Sequence, residues 1–425
     1  MRQYLKRLKK GSSACSILAM KSLCFILWGA VFISGQYLTI FLRSFPFVND
    51  YILGIVMSLG SFVAAMSQMI WGRVADQSKT KNRILMVTVV GMAVGQLLLV
   101  LPDHTGFLSL LPCFFFLQFF TAIPCLMTDT IVVEGVNRLN IPFGTVKRFS
   151  SAGAASMAFV LYLISLWMAV EPSTIYLIAS ATALLTLIPA AFVPAIKGHA
   201  YGMKEDKGNT SMKALLKNRR LVLLLCYLLL LFVGIQSANV FMGVYFATEA
   251  GFNAGLGFYG LFFAVCIGTE TLFMTLGSRF ILAMNIYHVF TLVGVVACAR
   301  SLVWFLAPNV YILLLNAVCQ ALLFAPLWTR LGPYVYSIVA KELRATGQAA
   351  CGIMTGGIAP MVGAALAGFV AGSFGIRNVF GVMAVMLAVV TVVFYFLFRN
   401  EQAYFRGRTD LADGMEGGAD PDLLP

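Results

Sequence analysis

The feature that most constrains the fold is a long succession of apolar stretches with only short polar breaks between them. Of the 425 residues, 60% are hydrophobic and 11% are charged, whereas a soluble domain has about a quarter charged residues. A spanning helix needs about 20 mostly apolar residues, and about twelve such helices with loops use the whole length. We therefore predict an all-α membrane protein with twelve transmembrane helices, and no enzyme.

The basic residues are distributed unevenly between the two faces of the predicted bundle. The net charge of +13 raises the possibility of a nucleic-acid partner. When the loops are assigned to alternate sides, however, all but four of the 30 Lys and Arg fall on one face. This excess is the positive-inside signature of membrane proteins. It predicts a multi-pass protein of the cell membrane with both termini cytoplasmic, and no nucleic-acid partner.

One long polar break divides the predicted bundle into two halves of six helices. It is rich in Lys, Arg, Gly and Asn, a composition typical of a linker. The last residues are rich in Gly and Asp and are expected to be disordered. The predicted parts are an N-terminal half (1–196), a cytoplasmic linker (197–220), a C-terminal half (221–398) and a disordered cytoplasmic tail (399–425).

Motifs for metals, disulfides and nucleotides are missing from the sequence. The nine cysteines are scattered through apolar segments without a Cys-x-x-Cys pair, which is typical of small buried side chains. No Gly-x-x-x-x-Gly-Lys-Ser/Thr loop occurs, which disfavours an ATP-driven pump. We expect no metal site and no cofactor, with a proton gradient as the energy source.

A dense cluster of charges lies between the second and third apolar segments. It begins at Gly72, carries Asp76 four residues later, and continues through basic residues to Arg83. This spacing resembles the loop between helices 2 and 3 of the major facilitator superfamily. The resemblance implies two six-helix halves that rock about a substrate site near mid-membrane. We predict that these three residues form a conformational gate, the alternative for Asp76 being a solvated loop acid.

A second resemblance begins at helix 5, in the run from Phe143 to Gly153. It is similar to helix 5 of the lactose permease and its sugar- and nucleoside–proton symporter relatives. The substrate-binding Arg of that family falls on Lys147 here, and its partner acid falls on Asp129. The sequence departs from the family at Lys147, which lacks the planar fork of Arg, and at Ala154, which replaces a Trp. A galactoside substrate is therefore not expected.

The same resemblance places the family's helix 8 acid on Glu270 and its helix 9 Arg on Arg300. Ionisable groups are costly inside a bilayer and are therefore candidates for function. The depths of Glu270 and Arg300, about 15 and 20 Å from the cytoplasmic ends of their helices, allow the two to pair. Either substrate displaces Arg300 and Glu270 takes a proton, or the pair is fixed and structural. Asp129 is the second candidate proton carrier.

Polar side chains in helices 1 and 7 complete the predicted site, because these helices line the cavity in the resembled fold. We expect them to bind hydroxyl-rich substrates, although polar residues also join helices to one another. They are Gln36, Tyr37, Gln236 and Asn239.

Together these features predict a secondary active transporter, a proton-coupled symporter of a sugar, oligosaccharide or nucleoside that works by alternating access. Its expected partners are this small molecule and the lipid bilayer, and we expect a monomer. One alternative is a proton-antiport exporter of drugs or metabolites, although Ser156–Val170 lacks the Pro and Gly of the exporters' helix 5 motif. The other alternative is a solute sensor that does not transport.

Overall fold

A computed structural model describes residues 2–196, 198, 217–277, 281, 284–339 and 343–399, with the backbone alone described at 2–13, 345 and 399. Within these ranges the chain is helical and contains no strand. The predicted linker and tail fall almost wholly outside the described residues, so their boundaries stay predictions. The predicted all-α class is confirmed.

Twelve helices in the described part of the chain are long and apolar enough to cross a membrane, as predicted. The first of them is continued toward the N-terminus by a helix that begins at Arg2. The spanning helices are α1 (Ala14–Arg43), α2 (Asp50–Gln77), α3 (Lys81–Val100), α4 (Phe107–Leu139), α5 (Gly144–Ser165), α6 (Pro172–Phe192), α7 (Arg219–Ala247), α8 (Leu256–Leu276), α9 (Ile286–Leu306), α10 (Val310–Ile338), α11 (Thr346–Phe374) and α12 (Ile376–Phe398).

Prolines interrupt the hydrogen-bond ladder inside three of these helices. Proline has no N–H for the carbonyl four residues earlier, and its ring collides with that carbonyl. Regular α-helix stops just before Pro124 in α4 and before Pro189 in α6. In α11 a π-helical turn, Met354–Ile358, comes just before Pro360. Each of these helices is therefore divided into segments near its proline.

The helices form two groups, α1–α6 and α7–α12. In the first group α1 packs on α5 and α6, and α3 packs on α4 and α6. In the second group α7 packs on α11 and α12, and α9 packs on α12 and α10. The two groups meet along two helix pairs, α5 with α8 and α2 with α11. Any site between the halves is therefore bordered by these four helices and by α1 and α7.

The halves touch each other mainly at one end of the bundle. We call the face where α1 begins and α12 ends the terminal face, and the opposite one the distal face. Near the distal face, the Tyr37 hydroxyl donates to the Leu256 carbonyl at 3.0 Å. The hydroxyls of Tyr51 and Ser373 are 2.9 Å apart. Both bonds join α1 or α2 to a helix of the other half.

Two glycine contacts continue the packing between the halves from the distal face toward the centre of the membrane. Gly54 of α2 lies directly against the backbone of Gly368 in α11, so neither position has room for a Cβ atom. A Cβ atom at Gly260 of α8 would lie 2.7 Å from the Ala158 carbonyl oxygen of α5. The hydrogen bonds and glycine contacts named above, which join the two halves, lie in the distal half or near mid-depth. The space between the halves therefore opens toward the terminal face.

Several helices differ from their predicted limits. The sequence prediction began α1 at Lys21, ended α2 at Trp71 and ended α5 at Val170, whereas the structure has Ala14, Gln77 and Ser165. The prediction ended α4 at Val132, before Glu134, but this helix continues to Leu139. It continues because Glu134 forms an ion pair at 2.9 Å with Lys81 of α3. A left-handed residue, Asn140 at φ 54°, then ends the helix.

Candidate functional site

The N-terminal half contributes an ion pair within the spanning helices. The Nζ atom of Lys147 lies 2.5 Å from Oδ1 of Asp129. Asp129 is in the second segment of α4 and Lys147 is in the first turn of α5, so the tight turn between these helices brings them together. Their side chains are 36% and 30% exposed, respectively. This exposure, together with the separation of the halves, indicates that the pair faces the space between them.

An aromatic ring from α1 completes this cluster. The Lys147 ammonium lies over the Trp28 ring, 4.4 Å from its centroid, which is a cation–π contact. The indole Nε1 is buried and has no hydrogen-bond partner among the described residues. The sequence prediction missed Trp28. Trp28 lies four residues before Phe32 and eight before Gln36, so all three share one face of α1. This spacing could have identified Trp28 from the sequence.

The C-terminal half contributes a second polar cluster, formed by Glu270 of α8, Arg300 of α9 and Gln320 of α10. Arg300 is buried, and its Nη1 donates to Oε1 of Gln320. The Glu270 carboxylate interacts with the Gln320 side chain and with the charge of Arg300. The three side chains therefore form a triad in which Gln320 contacts both charged groups.

The direct pair expected between Glu270 and Arg300 is not present among the described ion pairs, none of which joins these residues. The prediction assumed that α8 and α9, being neighbours along the chain, pack on each other. In the structure each of them packs on α10 more extensively than on the other. Gln320, which belongs to α10, therefore takes the position of the bridging group.

Beside this triad lies a small cleft lined by polar groups of α7 and α9. Asn239, Arg300, Ser301 and Trp304 contribute to its walls. Nε of Arg300 and Nε1 of Trp304 are buried donors without partners in the described part of the chain. An unsatisfied buried donor costs about 1–3 kcal/mol. The cleft is therefore suited to receive a hydrogen-bond acceptor, such as a water or a hydroxyl or carboxylate of a ligand.

The polar residues predicted in helices 1 and 7 fall into two groups. Asn239 is exposed although α7 is the most buried spanning helix, and its Nδ2 donates to Gln236 Oε1 at 2.9 Å. Gln36 is half-buried. Tyr37, by contrast, is fully buried and bonded to Leu256 of the other half. In this conformation Tyr37 belongs to the distal closure and does not line the open space, which corrects its predicted place in the site.

The three residues predicted to form a gate lie at the open terminal face. Asp76 and Arg83 are exposed, and neither takes part in an ion pair of the described residues. A Cβ atom at Gly72 would meet nothing within 4 Å. No ion pair of the described residues joins them to the C-terminal half, so we assign the latching role to a state in which the terminal face is closed.

The same charged segment also contains two buried residues, Lys81 and Asn82, that the sequence prediction overlooked. Lys81 is 1% exposed and paired with Glu134. The Asn82 amide donates to the carbonyls of Val193 and Pro194 at 3.1 and 3.2 Å. These bonds fasten the start of α3 to α4 and to the end of α6. The charged segment thus combines anchored residues with the exposed side chains of Asp76 and Arg83.

Comparison with known proteins supports this architecture. A family model described as the MFS_1-like family matches residues 17–382. An uncharacterized transporter of Bacillus subtilis, YwbF, is 24% identical over 300 residues, which cover 69% of this chain and 71% of that protein. A maltose permease of Geobacillus stearothermophilus is 23% identical over 298 residues, covering 70% and 72%.

Solved structures resemble the whole described bundle. The nucleoside transporter NupG, in a mutant form, superposes with a TM-score of 0.75 at 18% identity, covering 90% of this chain and 99% of the other. A POT family transporter in complex with a thioalcohol-conjugated peptide gives 0.71 at 13% identity, covering 90% and 96%. At such low identity these likenesses establish the shared fold alone.

Proposed function

Because this chain belongs to the MFS_1-like family of major facilitator transporters, we propose that it carries a small polar solute across the cell membrane by proton-coupled symport. One observation carries the proposal: the pair of Lys147 and Asp129, held against Trp28, is partly exposed inside spanning helices. Asp129 lies ten residues from the end of α4, and charges within spanning segments are costly and mark substrate or ion pathways.

The solute class follows from the chemistry of this cluster. A carboxylate accepts hydrogen bonds from hydroxyls, an ammonium donates to them, and an indole face packs against a ring. The unpartnered donors of Arg300 and Trp304 add a place for an acceptor. We therefore propose a sugar, oligosaccharide or nucleoside. The maltose permease and the nucleoside transporter among the similar proteins support this choice.

Proton coupling is proposed for the triad of Glu270, Gln320 and Arg300. A solute acceptor that draws Arg300 toward the cleft moves the positive charge away from Glu270. A carboxylate left in an apolar surrounding without a cation is costly and is relieved by taking up a proton. Solute and proton would then bind together, which is the requirement for symport.

Transport would proceed by rocking of the two halves. The described conformation has its distal end closed and its terminal face open, so it is one end state of such a cycle. The excess of basic residues at the terminal face supports a cytoplasmic location for that face and for both termini. In the opposite state Asp76 and Arg83 would meet the C-terminal half and act as the proposed gate.

A ligand-stabilisation screen of the purified protein tests the substrate class. A ligand that binds only the folded state raises its melting temperature. Maltose, uridine and a dipeptide are the probes, and we expect maltose or uridine to stabilise. The effect should disappear in Trp28→Ala and persist in Trp167→Ala, a matched control whose side chain is 91% exposed. Stabilisation by the dipeptide alone would contradict the proposed class.

A further inference from the structure

A long apolar groove runs along the outside of the C-terminal half, between α9 and α12. Its volume is about 750 Å³. Small residues of α12 form its floor, namely Gly381, Ala384 and Ala388, and the larger Leu302 and Phe305 of α9 form its wall. Since about 10 Å of helix separates Gly381 from Ala388, the groove follows the bilayer normal in the distal half of the membrane.

At the distal end of this groove stands an arginine without a counter-ion. Nε of Arg377 donates to the Phe305 carbonyl at 2.7 Å, and the guanidinium lies 5.5 Å from the centroid of the Phe305 ring. Arg377 is exposed and takes part in no ion pair of the described residues. An arginine has five N–H donors, so donors other than Nε are available to an anion.

Arg377 is unusual because few basic residues lie near the distal face. Among the described residues near the distal face, Arg43 is the other lysine or arginine, and it forms an ion pair with Asp50 at 2.8 Å. Arg377 also lies in the first turn of α12, where the N-terminal end of the helix dipole adds positive potential. An apolar groove with one free cation at its interfacial end matches the shape of a phospholipid.

We propose that this groove binds an anionic phospholipid of the distal leaflet, with an acyl chain along α12 and the phosphate group on Arg377. A second copy of the chain is the competing occupant. Two copies in one membrane, related by a two-fold axis along its normal, would place their Arg377 side chains at the same height near the contact. Repulsion between like charges therefore favours the lipid.

Native mass spectrometry of the detergent-purified protein tests this proposal, with phosphatidylglycerol and phosphatidylcholine of identical acyl chains as probes. The unaltered protein should retain one phosphatidylglycerol in preference to phosphatidylcholine. Arg377→Gln should lower the affinity for phosphatidylglycerol about fivefold, since a basic residue near a membrane surface contributes about 1 kcal/mol. Arg377→Lys keeps the charge and should retain most of the preference.

A second variant tests the groove itself. Val385 lines the groove and is 66% exposed, so Val385→Trp should fill the space without disturbing the core and should reduce retention of both lipids. Val87→Trp, at an exposed position of α3, is the matched control and should change nothing. Equal retention of the two lipids, or a preference that survives Arg377→Gln, would overturn the proposal. A dimer that Val385→Trp dissociates would assign the groove to a second copy.

Discussion

Lys147 is the residue on which the proposed substrate site depends. It stands where the lactose permease branch has an arginine, whose rigid fork orients itself. A lysine stem is flexible, and in this chain the Asp129 carboxylate and the Trp28 ring hold its ammonium in place. The position of this ammonium is thus set by contacts from two other helices, α4 and α1.

A double-mutant cycle at Asp129 and Lys147 tests whether this pair acts as a unit. Asp129→Asn and Lys147→Gln should each weaken solute binding strongly but measurably, and the double variant should bind no worse than the weaker of the two. Because the pair is partly exposed, each change should cost about 1 kcal/mol or less in stability. Binding and unfolding are measured on the same preparations. Additive losses of binding would show that the two residues act independently.

Glu270 is predicted to carry the proton. Glu270→Gln imitates the protonated side chain permanently, so it should abolish uptake driven by a pH gradient and preserve solute exchange across vesicles. Glu171→Gln, an exposed acid of a distal loop, is the control and should leave both activities intact. Gradient-driven uptake that continues unchanged in Glu270→Gln would assign coupling to another group.

Charged residues of the site could be predicted from the sequence, whereas some uncharged ones could not. Asp129, Lys147, Glu270 and Arg300 stand out because charges are few in spanning segments. Gln320 could not be recognised in the same way. An uncharged side chain acquires its role only from the packing of α8 and α9 on α10, and a sequence does not state which helices pack. The same reason applies to the buried indole of Trp304, whereas the position of Trp28 on one helix face with Phe32 and Gln36 was a signal that the prediction did not use.

At the scale of the elements, the charged segment at the end of α2 and the start of α3 combines an anchored part, around Lys81 and Asn82, with exposed side chains. Asp76 has one of these exposed side chains, and no ion pair of the described residues joins it to the other half. Asp76→Asn should therefore slow turnover several-fold and leave solute affinity nearly unchanged, because the gate acts in the opposite state. Uptake kinetics separate kcat from KM. Asp103→Asn, at the distal face, is the control, and a normal kcat in Asp76→Asn would refute the gate.

Lys81 belongs to the anchored part and should govern stability. Lys81→Met removes the buried ammonium that pairs with Glu134 near the terminal face. Breaking a buried pair on one side costs about 3–5 kcal/mol, and the partial exposure of Glu134, 21%, should reduce this to about 2 kcal/mol. Thermal unfolding measures the loss.

The controls for this prediction lie in the same loop. Lys79→Met removes an exposed charge two residues away and should be nearly neutral. Adding Glu134→Gln to Lys81→Met should recover part of the lost stability, since an unpaired acid is then no longer buried. Equal effects of the Lys79 and Lys81 variants would show that the pair contributes little.

The elements themselves were largely predictable, since a spanning helix is recognised by its length and apolar composition. The error in α4 has a specific cause. The prediction ended α4 at Val132, just before Glu134, but the helix continues because Lys81, more than fifty residues earlier, supplies Glu134 with a counter-ion. An ion pair between residues so far apart in the sequence depends on the fold, and the sequence around Glu134 alone does not reveal it.

At the scale of the whole molecule, the twelve helices form two halves that are joined near the distal face and apart at the terminal face. Close backbone contacts at Gly54 with Gly368 and at Gly260 with Ala158 make this closure tight. Each charge cluster belongs to one half, with the Lys147 pair in the first and the Glu270 triad in the second. A solute that contacts both clusters would therefore couple its binding to the movement of the halves.

The most direct test of this account is proton movement in vesicles that contain the purified protein. We expect that adding the solute identified by thermal stabilisation, with no imposed gradient, makes protons move with it and shifts the internal pH. An imposed pH gradient should in turn drive accumulation of the solute. Solute entry without proton movement, or no accumulation of any sugar or nucleoside under a pH gradient, would contradict proton-coupled symport.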